Sequence, residues 1–494
     1  MSDLVVPIRR VARFVFILFF VLVGQLTYLQ VVRADDLKND KFNVRTIINE
    51  FAKPRGDIVT ADNQVVAFSE PSNDQLKFQR VYPQGELFGH ITGFQSILVG
   101  NTGVESAYNS ALRGKRGEEQ NVPRVVLSID SQIQAFLKEQ LGSNIGAIVV
   151  MRPNTGAIVG MYANPSYDPN PIAVHDSSDA QKAYTSLVQD KEKPSVSRAF
   201  SERYPPGSTF KIVTAAAAIE TGIADAEREF PQAFSFTPPL TNNKIQNFGG
   251  GACGGTLQRS FRQSCNVTFA KLGDELKDNF VTEIEKFGFG GQLDNDINVG
   301  QSPPLDIDGA VGATAPKENS YAKDAPNFAF AGIGQGLVSA SPLSVSLFTS
   351  TIANQGFMPT PHVVDRLEDG QGNVTKRIGL KPWKENVITT GTASTVRDFM
   401  VDVVIRGTGT RARLKDIQVA GKTGTAQAAC ASDAPSCPPH AWFTSFAPAE
   451  APEYVVTVFI QKSSGSALSA NAATGGQLAA PIAKAVYEKL FGLR

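Results

Sequence analysis

The chain opens with a long apolar run. Residues 14–32 carry no charged side chain, and three arginines stand among the residues before them. A helix of that length spans about 28 Å, close to the hydrocarbon thickness of a bilayer. The pattern predicts a single transmembrane anchor, and the positive-inside rule places residues 1–13 in the cytoplasm and the rest of the chain outside. A cleaved signal peptide is the alternative, because Val32-Arg33-Ala34 resembles a cleavage site.

The pattern after the anchor divides into two regions. Residues 33–144 show short β-like runs between Gly/Pro turns, and 127–141 has helical spacing. From residue 145 the pattern predicts a strand, a turn and a strand, then a helical body, and then a cluster of strands. We therefore predict a β-rich domain over 33–144 and a mixed α/β domain over 145–494.

The strand cluster predicts the main sheet of the second domain. Its connections are short, so we expect antiparallel pairing. A final helix has apolar positions at helical spacing and is expected to pack on that sheet. Two polar stretches rich in Gly and Pro, 301–328 and 463–476, are predicted loops. The predicted strands are 422–427, 441–446 and 454–461, and the predicted helix is 477–490.

A serine and a lysine stand at the start of a predicted helix. Prolines at 205 and 206 exclude a helix interior there, so the helix is expected from about Ser208 to Gly222. Free N–H groups and the helix dipole would favour a developing negative charge on Ser208. Lys211 lies on the same face, and burial in an alanine-rich helix would lower its pKa toward the neutral form. A nucleophile beside a base suits covalent catalysis. An N-cap serine with a solvated lysine is the structural alternative.

Two further polar motifs follow along the chain. Ser264-Cys265-Asn266 precedes a helical pattern, so its serine and asparagine are predicted at a capped helix start. Lys422-Thr423-Gly424-Thr425 reads as a strand with both threonines on one face and the lysine on the other. The glycine leaves room for a substrate to lie alongside as an added strand, and the hydroxyls suit a peptide carboxylate. Taken alone, the first motif is explained by helix capping, and the second is explained by an ordinary glycine in a strand.

The order of the motifs separates them from chance matches. Ser320-Tyr321-Ala322-Lys323 also fits S-x-x-K, and Ser469-Ala470-Asn471 also fits S-x-N, but both lie in polar, loop-like sequence and in the wrong order. S-x-x-K, S-x-N and K-T-G in sequence are the three motifs of penicillin-binding proteins and serine β-lactamases. From Arg45 to its C-terminus the chain resembles a class B penicillin-binding protein, most closely the actinobacterial penicillin-binding protein A group.

The resemblance implies the fold. It predicts a penicillin-binding-protein/serine β-lactamase-like transpeptidase domain, with an antiparallel sheet flanked by helices, on a β-rich pedestal of the dimerisation type. Further matching segments are Pro54-Arg55-Gly56-Asp57-Ile58, Gly103-Val104-Glu105 and Leu127-Ser128-Ile129-Asp130 in the pedestal, and Asn154-Thr155-Gly156 and Gly334-Gln335-Gly336 in the transpeptidase domain.

The resemblance also implies the reaction. Ser208 would attack the penultimate D-Ala of a stem peptide, release the terminal D-Ala, and form an acyl-enzyme that an amine of a neighbouring stem converts into a cross-link. Lys211 would be the general base, and Asn266 would hold it and the substrate amide. Ser264 and Lys422 would carry the proton to the leaving amine.

The implied binding partners follow from the same resemblance. Thr423, Gly424 and Thr425 would bind the stem peptide, the threonines at its carboxylate, and the N–H groups of Ser208 and Thr425 would form the oxyanion hole. β-Lactam antibiotics would acylate the same serine. Glycan polymerisation would need a partner, for which the resemblance suggests a SEDS-type polymerase and other cell-wall assembly proteins.

Composition narrows the function classes. The chain has 47 basic and 47 acidic residues, so its zero net charge does not point to nucleic acid. Its four histidines are scattered, so we predict no metal, no cofactor and no Ser-His-Asp triad. Four cysteines allow three pairings. An extracytoplasmic domain permits disulfides, and Cys430–Cys437 is the favoured pair, with free thiols as the alternative.

Three functions compete for these motifs. The leading hypothesis is a membrane-anchored D,D-transpeptidase, in cell elongation or in division. A D,D-carboxypeptidase or β-lactamase would use the same chemistry, but the sequence shows no clear glutamate motif of the kind that class A β-lactamases use to activate a deacylating water. A catalytically silent cell-wall scaffold or a β-lactam sensor is the third, and the three intact motifs argue against it.

Overall fold

The computed structural model describes residues 5–33, 44–113, 122–294, 297–379, 381–427, 439–461 and 474–493. Its first element is an α-helix, Val5–Thr27, that continues as a π-helix over Tyr28–Val32 with exposed side chains. Among the described residues it is the one helix long and apolar enough to cross a membrane. It begins before the predicted run, so the three arginines belong to the helix itself. The element fits a membrane anchor.

A six-stranded sheet forms the centre of the N-terminal region, and we call it the pedestal sheet. Asp57–Val59 pairs antiparallel with Val65–Pro71 and parallel with Arg124–Leu127. Two of its strands form a hairpin from far along the chain, within the region predicted as the second domain. In spatial order the strands are Val374–Arg377, Val364–Glu368, Arg124–Leu127, Asp57–Val59, Val65–Pro71 and Phe78–Val81.

A helix leads from the pedestal sheet into the second region. It spans Ser131–Leu141, and the carboxylate of Asp130 caps it by accepting from the N–H groups of Gln132 and Ile133. The predicted start at residue 127 is wrong because the chain is still in the pedestal sheet there. The shorter N-terminal elements are the helices Val44–Phe51, Gly85–Leu87, Gly89–Thr92, Gly103–Ala107 and Asn109–Leu112 and the strands Gln95–Ser96 and Gly100–Asn101.

A buried ion cluster fixes the pedestal around Glu105. This carboxylate is fully buried and pairs with Arg55 and with Arg80, whose Nε lies 2.6 Å from Oε1. Burial alone would raise the pKa of Glu105, but the two guanidinium groups lower it below its ordinary value. The pedestal motifs that contain Arg55 and Glu105 therefore meet in one charged, hydrogen-bonded core.

The second region is built on a five-stranded sheet, which we call the central sheet. All its neighbouring strands pair antiparallel, which confirms the predicted pairing. Helix Gly475–Leu490 packs across one face, as predicted, and helix Pro342–Ala353 covers the other. The inner strands are buried on both faces for this reason. In spatial order the strands are Ala420–Ala426, His440–Ala447, Tyr454–Ile460, Gly146–Met151 and Ile158–Asn164.

The remaining elements surround this sheet. The predicted loop 301–328 is wrong in its last part, because helix Tyr321–Ala331 begins within it. Most of the predicted loop 463–476 lies outside the described residues. The other helices are Asn170–Ala173, Ser177–Gln189, Gly207–Phe210, Lys211–Glu220, Phe248–Gly250, Leu257–Gln263, Asn266–Leu276, Asp278–Lys286, Thr390–Arg406 and Thr410–Ala412. The other strands are Glu229–Ala233, Ser235–Phe236, Ile245–Gln246, Cys253–Thr256, Gln292–Asp294, Ile297–Val299, Thr314–Ala315, Met358–Pro359 and Pro382–Lys384.

Candidate active site

Ser208 lies in a 3₁₀ turn, Gly207–Phe210, that leads directly into the α-helix Lys211–Glu220. We call Gly207–Phe210 the serine turn. The predicted helix start at Ser208 is therefore replaced by a tighter first turn. Gly207 has a φ of +53°, and a Cβ there would lie 2.9 Å from the carbonyl oxygen of Thr425. Glycine at this position lets the serine turn approach the edge of the central sheet.

Lys211, the first residue of the helix after the serine turn, is fully buried and hydrogen-bonded to polar groups of the S-x-N motif. Its Nζ donates to the carbonyl oxygen of Ser264 and to Oδ1 of Asn266, both at 2.8 Å. Burial, and then the positive charge of Lys422, lower the pKa of Lys211 well below its ordinary value. A neutral amine has two N–H groups, and these two oxygens satisfy both. The lone pair of such a neutral amine is not engaged by these two oxygens, and it can accept a proton.

The S-x-N motif sits at a break between two helices. Ser264 ends helix Leu257–Gln263 in the left-handed conformation, with a φ of +59°. Helix Asn266–Leu276 follows without a side-chain cap, so the predicted capping role is wrong. The Asn266 side chain instead accepts from Lys211 and donates through Nδ2 to the carbonyl oxygen of Gln246 at 2.9 Å. Tertiary partners thus take the polar groups that a local cap would have used.

Lys422 contacts the same residue, Ser264, through its hydroxyl oxygen. Its Nζ lies 2.9 Å from Ser264 Oγ, while Lys211 Nζ lies 3.3 Å from the same oxygen. Burial lowers the pKa of Lys422 to about 7. One hydroxyl therefore stands between two buried lysines, and the arrangement can pass a proton from one nitrogen toward the other.

Strand Ala420–Ala426 is an edge strand of the central sheet and lies beside the serine turn. A Cβ on Gly424 would lie 2.9 Å from the carbonyl oxygen of Pro206, from Thr209 Cγ2 and from Trp442 Cβ. The packing of the strand against the serine turn therefore requires glycine at this position, in addition to the room for substrate that the sequence suggested. Thr423 and Thr425 face the cleft.

A cleft of about 1040 Å³ unites these groups. Five of the predicted site residues line it, while Lys211 and Lys422 lie fully buried against Ser264, one of those five. The opposite wall is the segment 244–253, and Thr408 joins the threonine side. No motif marked either feature in the sequence. The predicted residues that line the cleft are Ser208, Ser264, Asn266, Thr423 and Thr425.

A disulfide ties the wall to the S-x-N motif. Cys265, the middle residue of that motif, is bonded to Cys253 at the end of segment 244–253. The predicted pair Cys430–Cys437 lies outside the described residues. In the part of the chain that the structure describes, no group of three His, Cys, Asp or Glu could hold a metal ion.

The chance motif matches stand apart from the cleft. Ser320 donates to the carbonyl oxygen of Lys317 and precedes helix Tyr321–Ala331. Neither Ser320 nor Lys323 lines the cleft. The second match, 469–471, lies outside the described residues.

Known proteins are similar to both regions of this chain. Residues 146–488 match the penicillin binding protein transpeptidase domain, and residues 55–132 match the penicillin binding protein A dimerisation domain. The chain is 33% identical to the peptidoglycan D,D-transpeptidase PbpA of Mycolicibacterium smegmatis, over 97% of each chain. It is 31% identical to PbpA of Mycobacterium tuberculosis, over 97% of this chain and 98% of the relative. A structure of M. tuberculosis penicillin-binding protein A as a ceftriaxone acyl-enzyme complex superposes with a TM-score of 0.78, at 30% identity, covering 89% of this chain and 99% of that one.

Replacing Gly424 by alanine should destabilise the protein, because the added methyl group would push the serine turn and Trp442 away from the strand. We expect the free energy of unfolding to fall by about 1–3 kcal/mol, the usual cost of overpacking. The matched control is Gly391→Ala, at a helical position with nothing within 4 Å, which should leave stability unchanged or slightly higher. Thermal denaturation of both variants measures the effect, and equal stability would contradict the proposed packing role.

Proposed function

This chain belongs to the penicillin-binding protein transpeptidase family, and we propose that its cleft performs the family reaction through Ser208. It is a peptidoglycan D,D-transpeptidase, a serine-type acyltransferase that β-lactams acylate covalently. The observation that carries the proposal is that two buried lysines meet at Ser264 Oγ beneath a cleft lined by Ser208.

Acylation would begin with transfer of the Ser208 hydroxyl proton to neutral Lys211. The serine oxygen then forms a bond to the carbonyl carbon of the penultimate D-Ala, and the C–N bond to the terminal D-Ala breaks. Lys211 is suited to this step because its N–H groups are held by Ser264 and Asn266, which leaves the lone pair free. Nucleophile activation by an adjacent base is the general requirement of covalent catalysis.

The leaving amine needs a proton, and Ser264 is the proposed donor. Its hydroxyl lies within hydrogen-bond distance of Lys422 and 3.3 Å from Lys211. A proton taken up by Lys211 could therefore return to the amine through Ser264, with Lys422 holding the hydroxyl. In the second half-reaction an amine of a neighbouring stem peptide takes the place of the departed D-Ala, and the same path runs in reverse.

The edge strand would bind the donor stem peptide. Thr423 and Thr425 present hydroxyls to the cleft, which suits the terminal carboxylate, and Gly424 keeps the strand close to the serine turn. The backbone N–H groups of Ser208 and Thr425 would form the oxyanion hole. Such preorganised donors usually contribute several kcal/mol to the stabilisation of the transition state.

A labelled penicillin should acylate Ser208, which peptide mapping of the adduct can locate. Ser208→Ala should lose the label, while the matched control Ser320→Ala should keep it, since Ser320 lies outside the cleft. Lys211→Ala should acylate at least ~10²-fold more slowly, the usual scale of lost base catalysis. Label on another residue, or full labelling of Ser208→Ala, would refute the assignment.

The pH dependence of acylation should shift when Lys422 is replaced by methionine. Protonated Lys211 cannot accept the serine proton, so acylation falls as pH drops through its pKa. Burial lowers the pKa of Lys211, and the Lys422 charge lowers it further, so removing that charge should raise it. The acidic limb of the acylation profile should then move to higher pH.

The control for this shift is Lys244→Met, which removes an exposed lysine that lines the same cleft. Its acidic limb should coincide with that of the unmodified protein. A limb that stays in place, or moves to lower pH, in Lys422→Met would show that the charge of Lys422 does not control the base.

Residues 14–32, the uncharged part of the helix Val5–Val32, are the proposed anchor, with the N-terminus inside and the catalytic region outside the cytoplasmic membrane. We propose four divisions of the chain: a tail over 1–13, the anchor over 14–32, the pedestal over 33–144 and the transpeptidase domain over 145–494. The transpeptidase domain also contributes the hairpin that lies in the pedestal sheet. The resemblance supports a SEDS-type glycan polymerase and other cell-wall assembly proteins as partners.

Protease added outside intact spheroplasts should digest the catalytic region and leave a short membrane-bound fragment. This result follows from a helix that holds the N-terminus inside. Membrane fractionation with N-terminal sequencing is the companion measurement. A soluble form that begins near Asp35 would instead show cleavage of a signal peptide.

A further inference from the structure

Thr408 belongs to no motif, yet its hydroxyl meets that of Thr423. The two Oγ1 atoms lie 2.6 Å apart, and both residues line the cleft. Thr408 stands between the end of helix Thr390–Arg406 and the short helix Thr410–Ala412. It is therefore outside the K-T-G strand but in direct contact with that strand's first threonine.

The backbone holds Thr408 in a fixed place. The N–H groups of its neighbours Gly407 and Gly409 both donate to the carbonyl oxygen of Val403, at 3.1 and 3.0 Å. On the other side, a Cβ on Gly476 would lie 2.5 Å from the Thr408 carbonyl oxygen. Because the loop is packed on both sides, the hydroxyl is preorganised without any ligand.

Hydrogen counting shows what the pair can do. Each threonine hydroxyl has one hydrogen, and either of these two can donate to the other. Whichever way the bond runs, one hydrogen is used within the pair and one remains for a ligand. The free hydroxyl hydrogen is also polarised by its partner, which strengthens its donation to an anion.

Hydroxyl donors are important in this cleft because few charged side chains line it. Among the described residues that line it, Lys244 is the one with a charged side chain, and it is exposed on segment 244–253. The lining on the threonine side consists of neutral groups. A carboxylate at the K-T-G strand would therefore depend on hydroxyl donors, with Lys422 buried behind them.

We propose that Thr408 is a positioning and specificity residue for the ligand carboxylate. It fixes the Thr423 hydroxyl, and the Thr408–Thr423 pair acts as one donor to the terminal carboxylate of the stem peptide and to the equivalent carboxylate of a β-lactam. The inference rests on the proposed function and adds a residue outside the three motifs to substrate recognition.

The test compares a penicillin as the free acid with its methyl ester, using the full chain in detergent. Thr408→Val removes the hydroxyl at nearly constant shape. We expect its second-order acylation rate constant for the free acid to fall at least about tenfold, as for loss of one hydrogen bond to a charged group. The rate constant for the ester should change by less than about twofold. Thr408→Ser, which keeps the hydroxyl, should behave like the unmodified protein with both compounds.

Two controls separate this role from a structural one. Thr395→Val removes a hydroxyl that donates to the carbonyl oxygen of Gly391 in its own helix, at a position that does not line the cleft, and it should change neither rate constant. If Thr408→Val melts early, Thr408→Ala and Thr408→Ser are compared in its place. Equal losses for acid and ester, or no loss for the acid, would overturn the proposal. Failure of the proposed function would look different, because the unmodified protein would then react with neither compound at Ser208.

Discussion

The active site depends on two buried amines that share one hydroxyl oxygen. Two ammonium groups this close to the same Ser264 Oγ would repel strongly, because both lysine side chains are fully buried. The repulsion is relieved if one amine is neutral, and Lys211 is the one whose pKa is lowered by burial and by the other lysine together. The proton-accepting state of the base is therefore a consequence of packing.

That packing explains the local structure around Ser264. Lys211 Nζ donates to the carbonyl oxygen of Ser264 and lies 3.3 Å from its hydroxyl oxygen. Lys422 Nζ lies 2.9 Å from the same hydroxyl oxygen. A continuous helix would direct the carbonyl along its own axis, so the chain breaks there in a left-handed conformation. Phe261 and Phe269 lie in the two helices beside the break and pack against the lysines. Lys422 Nζ is 5.5 Å from the centre of the Phe261 ring, and Lys211 Nζ is 5.4 Å from the centre of the Phe269 ring.

The sequence predicted the elements with strong periodicity and the identities of the motif residues. It placed the central strands, their antiparallel pairing and the last helix, because apolar spacing there reflects burial. It failed where tertiary contacts override local preference. Ser264 and Asn266 are residue types that commonly cap helices, but here Lys422 donates to the Ser264 hydroxyl and Lys211 donates to the Asn266 side chain. Strand Val374–Arg377 is exposed along its length, so no alternation marked it. Thr408 stands in a plain glycine-flanked loop, and only the fold brings it to Thr423.

The hairpin of strands Val364–Glu368 and Val374–Arg377, which completes the pedestal sheet, also joins the two regions. Asp306 accepts hydrogen bonds from the N–H groups of Val363 and Val364 and from the hydroxyl of Tyr108, at 2.7, 3.0 and 2.8 Å. Val364 pairs with Leu127 just before the chain enters helix Ser131–Leu141. Domains that are joined only by a linker move independently by default. Here the carboxylate of Asp306 bonds both to Tyr108 of the pedestal and to the backbone at the start of the hairpin, so a rotation between the two regions would have to break these hydrogen bonds. The hairpin and Asp306 thus join the pedestal to the catalytic region through specific contacts as well as through the chain.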